Sequence, residues 1–102
     1  MSPDVANSKL EIEQLCRRFH VKRLHLFGSA ASGGEHNSRS DLDFLVEFRP
    51  LRAGAYANNY FGLLESFERL FDRPVDLVVP SAIENPYFLQ SVEETKILLY
   101  AA

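Results

Sequence analysis

Only one cysteine, Cys16, occurs in 102 residues. A lone thiol excludes an internal disulfide and fits a protein that works in a reducing cytoplasm. Positive charge is short as well. Eleven basic against 14 acidic side chains leave a formal charge of −3. That offers no basic field to a polyanion, so direct nucleic-acid binding is not expected. Long apolar runs are missing too. The longest, Ile97 to Ala102, falls far short of a bilayer span, and Met1-Ser2-Pro3-Asp4 lacks the basic and apolar regions of a signal peptide. His20, His25 and His36 show no metal-ligand spacing, which argues against zinc. With no repeats, linkers or low-complexity stretches, the expectation is one cytoplasmic, non-membrane domain over residues 1–102. Hydrophobic content of 46% and charged content of 25% suit a globular domain that builds its core without staples.

The periodicities give an element order. Ser8-Lys9-Leu10-Glu11 has the form of a capping box. Ile12, Leu15, Cys16 and Phe19 follow at helical spacing, which predicts a first helix ending near His20 with Cys16 on its buried stripe. Val21 to Phe27 reads as a strand, with Lys22, Leu24 and Leu26 on one face and Val21, Arg23, His25 and Phe27 on the other. His25 is open to two readings, a ligand contact on that face or a side chain tucked among sheet neighbours. Gly28 to Gly33 reads as a turn entering a short helix with Ser29 at or near its N-cap. Gly33 to Ser40, with His36 and Arg39, is a polar exposed loop.

A second strand runs from Asp41 to Phe48, and Arg49 to Asn59 is a loop with Pro50 and Gly54. Tyr60, Leu63, Leu64, Phe67, Leu70 and Phe71 form a helical core stripe, stopped by Asp72-Arg73-Pro74. Val75 to Val79 is a third strand and Pro80-Ser81 a turn. Asn85-Pro86 looks like an N-cap with proline at the first helical position, opening a last helix to about Glu94. Ile97 to Tyr100 is either a helix end or an edge strand.

The chemistry concentrates in the second strand. Alternation sends Leu42, Phe44, Val46 and Phe48 one way and Asp41, Asp43, Leu45 and Glu47 the other. Two carboxylates so close resist joint ionisation unless a cation sits between them. Hard oxygen ligands suit Mg²⁺, which takes one or two carboxylates and completes its shell with substrate phosphates. The Gly28-Ser29 turn beside them lets backbone N–H groups approach an anion, with the start of a helix aimed at it. Glu47 lies farther along the same face and reads as solvated or paired with a basic side chain.

Gly28-Ser29, then Asp41-x-Asp43 among hydrophobic neighbours, resembles the signature of the DNA polymerase β-like nucleotidyltransferase superfamily. The match is to its smallest branch, the minimal nucleotidyltransferases (MNT), over roughly Val21 to Tyr100. The resemblance implies a third carboxylate on a later strand, and Asp76 in Pro74-Val75-Asp76-Leu77 fits. It also implies an α/β (α+β) fold with a palm-like core. That core is a small mixed three-stranded sheet of order 1-2-3, with helices on one face and the acids on the open one. By the same resemblance Asp41, Asp43 and Asp76 are the catalytic and metal-binding residues, holding two Mg²⁺ ions. Gly28 and Ser29 are the nucleotide-binding residues it implies, and Arg39 is read here as joining them in place of the arginine that relatives carry after the turn. The activity implied is transfer of NMP, AMP from ATP above all, to a hydroxyl of a partner protein. The partner implied is a HEPN-domain toxin, this chain being the antitoxin of a toxin–antitoxin pair. One departure stands out: relatives often carry Ala-Arg-Gly after the turn, where this chain has Ala31-Ser32-Gly33. Two rivals remain, a non-catalytic binding antitoxin on the same fold and a sugar-nucleotide transferase, against which the short chain argues. Homo- and hetero-oligomers are both left open.

Overall fold

A computed structural model describes residues 1–32 and 41–102. The expectations placed on Gly33, His36 and Arg39 lie outside the described residues, as does the side chain of Ser32.

The chain order is α1 (Pro3–Asn7), α2 (Lys9–Arg18), β1 (Val21–Phe27), α3 (Ser29–Ser32), β2 (Leu42–Phe48), α4 (Ala55–Phe71), β3 (Val75–Val78), a 3₁₀ turn (Pro80–Ala82), α5 (Pro86–Thr95) and β4 (Ile97–Ala101). The strands form one mixed sheet in the order β3-β2-β1-β4. Strand β1 is antiparallel to both β2 and β4, and β2 is parallel to β3. The anticipated 1-2-3 arrangement is there, extended by a fourth strand. Ile97–Ala101 joins β1 along the edge that a three-stranded sheet would leave open, which resolves the undecided tail. Unpaired strand edges are a liability that this addition moves outward.

One face of the sheet is the main core. Leu24 and Leu26 of β1, Leu42, Phe44 and Val46 of β2, and Leu63 and Phe67 of α4 are all fully buried there. Phe44 lies between Phe67 at 4.9 Å and Phe71 at 5.9 Å between ring centres. The α4 stripe read from the sequence packs as expected, with Leu63, Phe67 and Phe71 buried. The helix itself begins earlier, at Ala55 directly after Gly54. That first turn carries no apolar stripe, so periodicity could not reveal it.

Helices cover more than the anticipated one face. Helix α5 lies on the acid-bearing side, where Val92 forms a second buried cluster with Phe27 and Leu45. Phe27 and Leu45 are large apolar groups that would otherwise be wetted, and α5 is the element that shields them. Asn85 caps α5 as expected, accepting from the N–H groups of Tyr87 at 2.8 Å and Phe88 at 3.3 Å. Among the described residues no helix is long and apolar enough to cross a membrane.

Other differences are local. The Ser8 side chain makes no cap bond because α1, which periodicity missed, leads directly into α2. Helix α1 buries Val5, and Asp4 accepts an ion-paired bond from the buried guanidinium of Arg73. An irregularity in the β1–β2 register between Val21 and Arg23 turns Val21 into the main core with Leu24 and Leu26. Cys16 is wholly buried, and that burial, aided by Glu13, pushes its thiol up to about 12. It is a core residue, as read.

Candidate functional site

The site is built where β1 ends and β2 and β3 begin. β1 delivers Gly28, whose φ of +76° lies in the left-handed region that glycine adopts without penalty. The turn closes with Ala31 N–H donating to Gly28 C=O at 3.1 Å. Ser29 then starts α3 with its residue exposed, while Ala30 and Ala31 are buried against the core. The N-terminal segment pins this short helix from behind, with Ser2 N–H donating to Ala30 C=O at 2.8 Å.

Opposite the turn, Phe27 pairs with Asp43 across β1 and β2. The approach is so close that a Cβ on Gly28 would lie 2.6 Å from Asp43 Oδ2. Glycine suits this position twice: its backbone conformation is left-handed, and any Cβ would oblige the Asp43 carboxylate to shift. Across β2 and β3, Asp43 is the register partner of Asp76. Residues paired in a parallel ladder project to the same face, so two carboxylates stand side by side. Asp43 is half-buried and Asp76 exposed, in strands whose other faces bury Leu42, Phe44 and Leu77. Asp41 lies just ahead of β2 and is exposed.

The structure thus brings Asp43 and Asp76 together beside Gly28 and leaves Asp41 at the entrance to the strand. Among the described residues no group of three His, Cys, Asp or Glu forms a ready-made metal cluster. A carboxylate pair still fits Mg²⁺, which binds through one or two carboxylates plus substrate phosphates and water. The donor set is all oxygen and anionic, and it lies beside a glycine turn rather than a bulky wall. Glu47 is accounted for otherwise: Arg23 donates to both its oxygens, at 2.9 and 3.2 Å.

Three surrounding residues were not singled out by sequence. Tyr60, read as core packing, donates its hydroxyl to Leu77 C=O, and burial followed by the nearby Asp76 carboxylate raises its pKa. Glu68 accepts from Val75 N–H at 3.2 Å, so two α4 side chains satisfy the outer edge of β3. Thr95, at the end of α5, accepts the Gly28 N–H at 3.0 Å. That amide, expected to face a phosphate, therefore has a protein partner. A hydrogen bond spanning 67 residues leaves no local pattern from which to read it. His25 is half-buried on the acid-bearing face between Leu45 and Leu98, the tucked arrangement, and burial followed by Lys96 lowers its pKa.

Known proteins share this fold and sequence family. A family model described as "Nucleotidyltransferase domain" matches residues 10–99. A protein of Methanocaldococcus jannaschii named "Putative protein adenylyltransferase" is 38% identical over 80 residues, 78% of each chain. A solved structure described as a "putative minimal nucleotidyltransferase" superposes with a TM-score of 0.74 at 28% identity, over 95% of each chain. A tri-AMPylated HEPN toxin of Shewanella oneidensis in complex with an MNT antitoxin contains a chain of similar fold. Its TM-score is 0.64 at 19% identity, covering 95% of this chain and 72% of that one.

Proposed function

The chain belongs to the nucleotidyltransferase domain family, and on that footing we propose that it moves AMP from ATP to a hydroxyl of a partner protein. The observation that carries this reading is the Asp43–Asp76 pair, set side by side across β2 and β3 next to a Gly28 turn so close that a Cβ there would lie 2.6 Å from Asp43 Oδ2. In the proposal Asp41, two residues before Asp43, completes the acid set. These three residues would hold Mg²⁺, which when bound neutralises the triphosphate and lowers the pKa of the attacking oxygen.

The chain's own residues then do the following. Ser29 and the backbone of its turn take up the β- and γ-phosphates. Arg39 supplies positive charge that Ser32 does not. Asp43, like Asp41, serves as a metal ligand and would meet the α-phosphate only through bound Mg²⁺. Asp76 lies on the acceptor side and takes the proton of the incoming hydroxyl. The acceptor oxygen forms a bond to the α-phosphorus, the α–β bridging bond breaks, and pyrophosphate leaves with its electron pair. Catalysis is positioning and charge stabilisation rather than covalent chemistry by the protein.

The acceptor is proposed to be a HEPN-type toxin, with this chain as the antitoxin. Support comes from the adenylyltransferase name of the archaeal relative and from the AMPylated toxin bound to a chain of the same fold. The test is incubation of the purified protein with labelled ATP and Mg²⁺, with and without a HEPN-type protein as acceptor. Label should appear on the partner and vanish with Asp41→Ala/Asp43→Ala. Absence of label, with the double variant still binding and neutralising the partner, would leave a binding antitoxin and overturn the enzymatic reading.

A further inference from the structure

The Gly28 turn is held by a helix that approaches from the other end of the chain. Gly28 N–H donates to Thr95 Oγ1 at 3.0 Å, and the same hydroxyl donates to Ser91 C=O at 2.9 Å within α5. The Thr95 oxygen is therefore oriented before the turn meets it, because its one proton is committed to the helix. A hydroxyl has one proton and two lone pairs, so accepting from Gly28 costs the helical bond nothing. At its other side Gly28 faces Asp43, close enough that a single added carbon would collide with Oδ2. Helix α5 is itself seated on this face by Val92, packed with Phe27, which precedes Gly28, and with Leu45, two residues beyond Asp43 on the same face. A rigid helix, a fixed hydroxyl, a left-handed glycine and a carboxylate thus stand in sequence.

We propose that Thr95 is a positioning residue for nucleotide transfer. By holding the Gly28 amide it sets the turn against Asp43 and so fixes where that carboxylate stands when substrate arrives. The amide is not a phosphate ligand. Its role is to tie the turn to α5, leaving phosphate binding to Ser29 and the residues after it. The inference rests on the proposed nucleotidyl transfer, but its first consequence, the tether itself, does not.

The test uses the full chain, with Thr95→Val removing the hydroxyl at constant shape and Thr95→Ser restoring it. Amide exchange at Gly28, read by NMR without nucleotide, should be slow in the wild type and in Thr95→Ser. It should quicken about tenfold in Thr95→Val, the worth of one net hydrogen bond. Binding of a non-hydrolysable ATP analogue with Mg²⁺ should weaken in Thr95→Val by about 3- to 10-fold, and kcat should fall with it, with recovery in Thr95→Ser. Melting curves of both variants show whether the fold is intact. Unchanged exchange at Gly28 in Thr95→Val overturns the tether. Faster exchange with binding and kcat as in the wild type reduces Thr95 to a structural residue. A wild type that binds no nucleotide overturns the proposed function and the positioning role together, while the exchange result still decides the tether.

Discussion

The two faces of one sheet have been given different work. On the main core face, Leu24, Leu26, Leu42, Phe44 and Val46 are closed off from water beneath α2 and α4. On the other, Arg23, His25, Asp43, Glu47 and Asp76 share the surface with Phe27 and Leu45, and α5 covers only the apolar part. The first face supplies the free energy of folding, since burial of apolar area is its dominant favourable term. The second places like charges next to each other, which by itself disfavours the sheet. Each acid of the pair is flanked along its strand by buried hydrophobes, Leu42 and Phe44 in β2 and Val75 and Leu77 in β3, and that is how one strand serves both purposes.

The sharpest way to break the comparison is to change neighbours in β2 that point opposite ways. Asp43→Asn should lower transfer by at least ~10³-fold, several kcal/mol of lost charge stabilisation in the transition state. It should disturb stability less than its neighbour does. Phe44→Ala, adjacent in sequence and packed against Phe67 and Phe71, should lower the unfolding free energy by about 3–5 kcal/mol. The molecules that remain folded should keep their turnover. Chemical denaturation and a labelled-ATP assay on both variants read the two effects. Equal loss of stability in the pair would mean that the faces are not separable.

A substitution at the hinge between the faces should affect both quantities. Gly28→Ala places a Cβ 2.6 Å from Asp43 Oδ2 on a backbone with φ of +76°. The left-handed conformation alone costs about 1–2 kcal/mol for a residue with a Cβ. Activity should fall further than that loss of stability explains, because Asp43 must move. If kcat per folded molecule is unchanged, the close approach is structural only.

The same contrast explains which parts were legible in the sequence. β2 was readable because its alternation has a period of two and each apolar residue found a dry side. The α4 stripe and the Asn85 cap were readable for the corresponding helical reasons. Helix α1 was not, since Pro3–Asn7 holds a single buried side chain, Val5, and one residue has no period. Ile97–Ala101 was ambiguous because an apolar run of that length suits a strand or a helix end equally. Only the open edge of β1 decides it. Of the site, the acid pair was visible as a motif, and Asp76 became its neighbour through the parallel β2–β3 register. Thr95 was invisible, because a hydroxyl joining two ends of the chain leaves no trace in local composition. Likewise, Glu47 read as either solvated or paired with a basic side chain, and the β1–β2 register chose Arg23.

The gentlest probe of the comparison is pH. In the main core, burial pushes the Cys16 thiol up to about 12, so it is silent near neutrality. The other face has His25, whose pKa is lowered from 6.5, first by burial and then by Lys96 and Arg23, against the opposing pull of Glu47 and Glu93. A histidine with a depressed folded-state pKa favours the folded form when neutral. Its contribution is therefore complete above the unfolded value of 6.5 and is lost as pH falls through the folded value. Melting temperature should decline on going from about pH 8 to about pH 5.5, and His25→Gln should flatten that decline. The effect is small because the ring is only half-buried, and added salt should reduce the part owed to Lys96. An identical slope in His25→Gln would place the sensitivity elsewhere, whereas a flattened slope makes the acid-bearing face the part of the sheet that responds to protons.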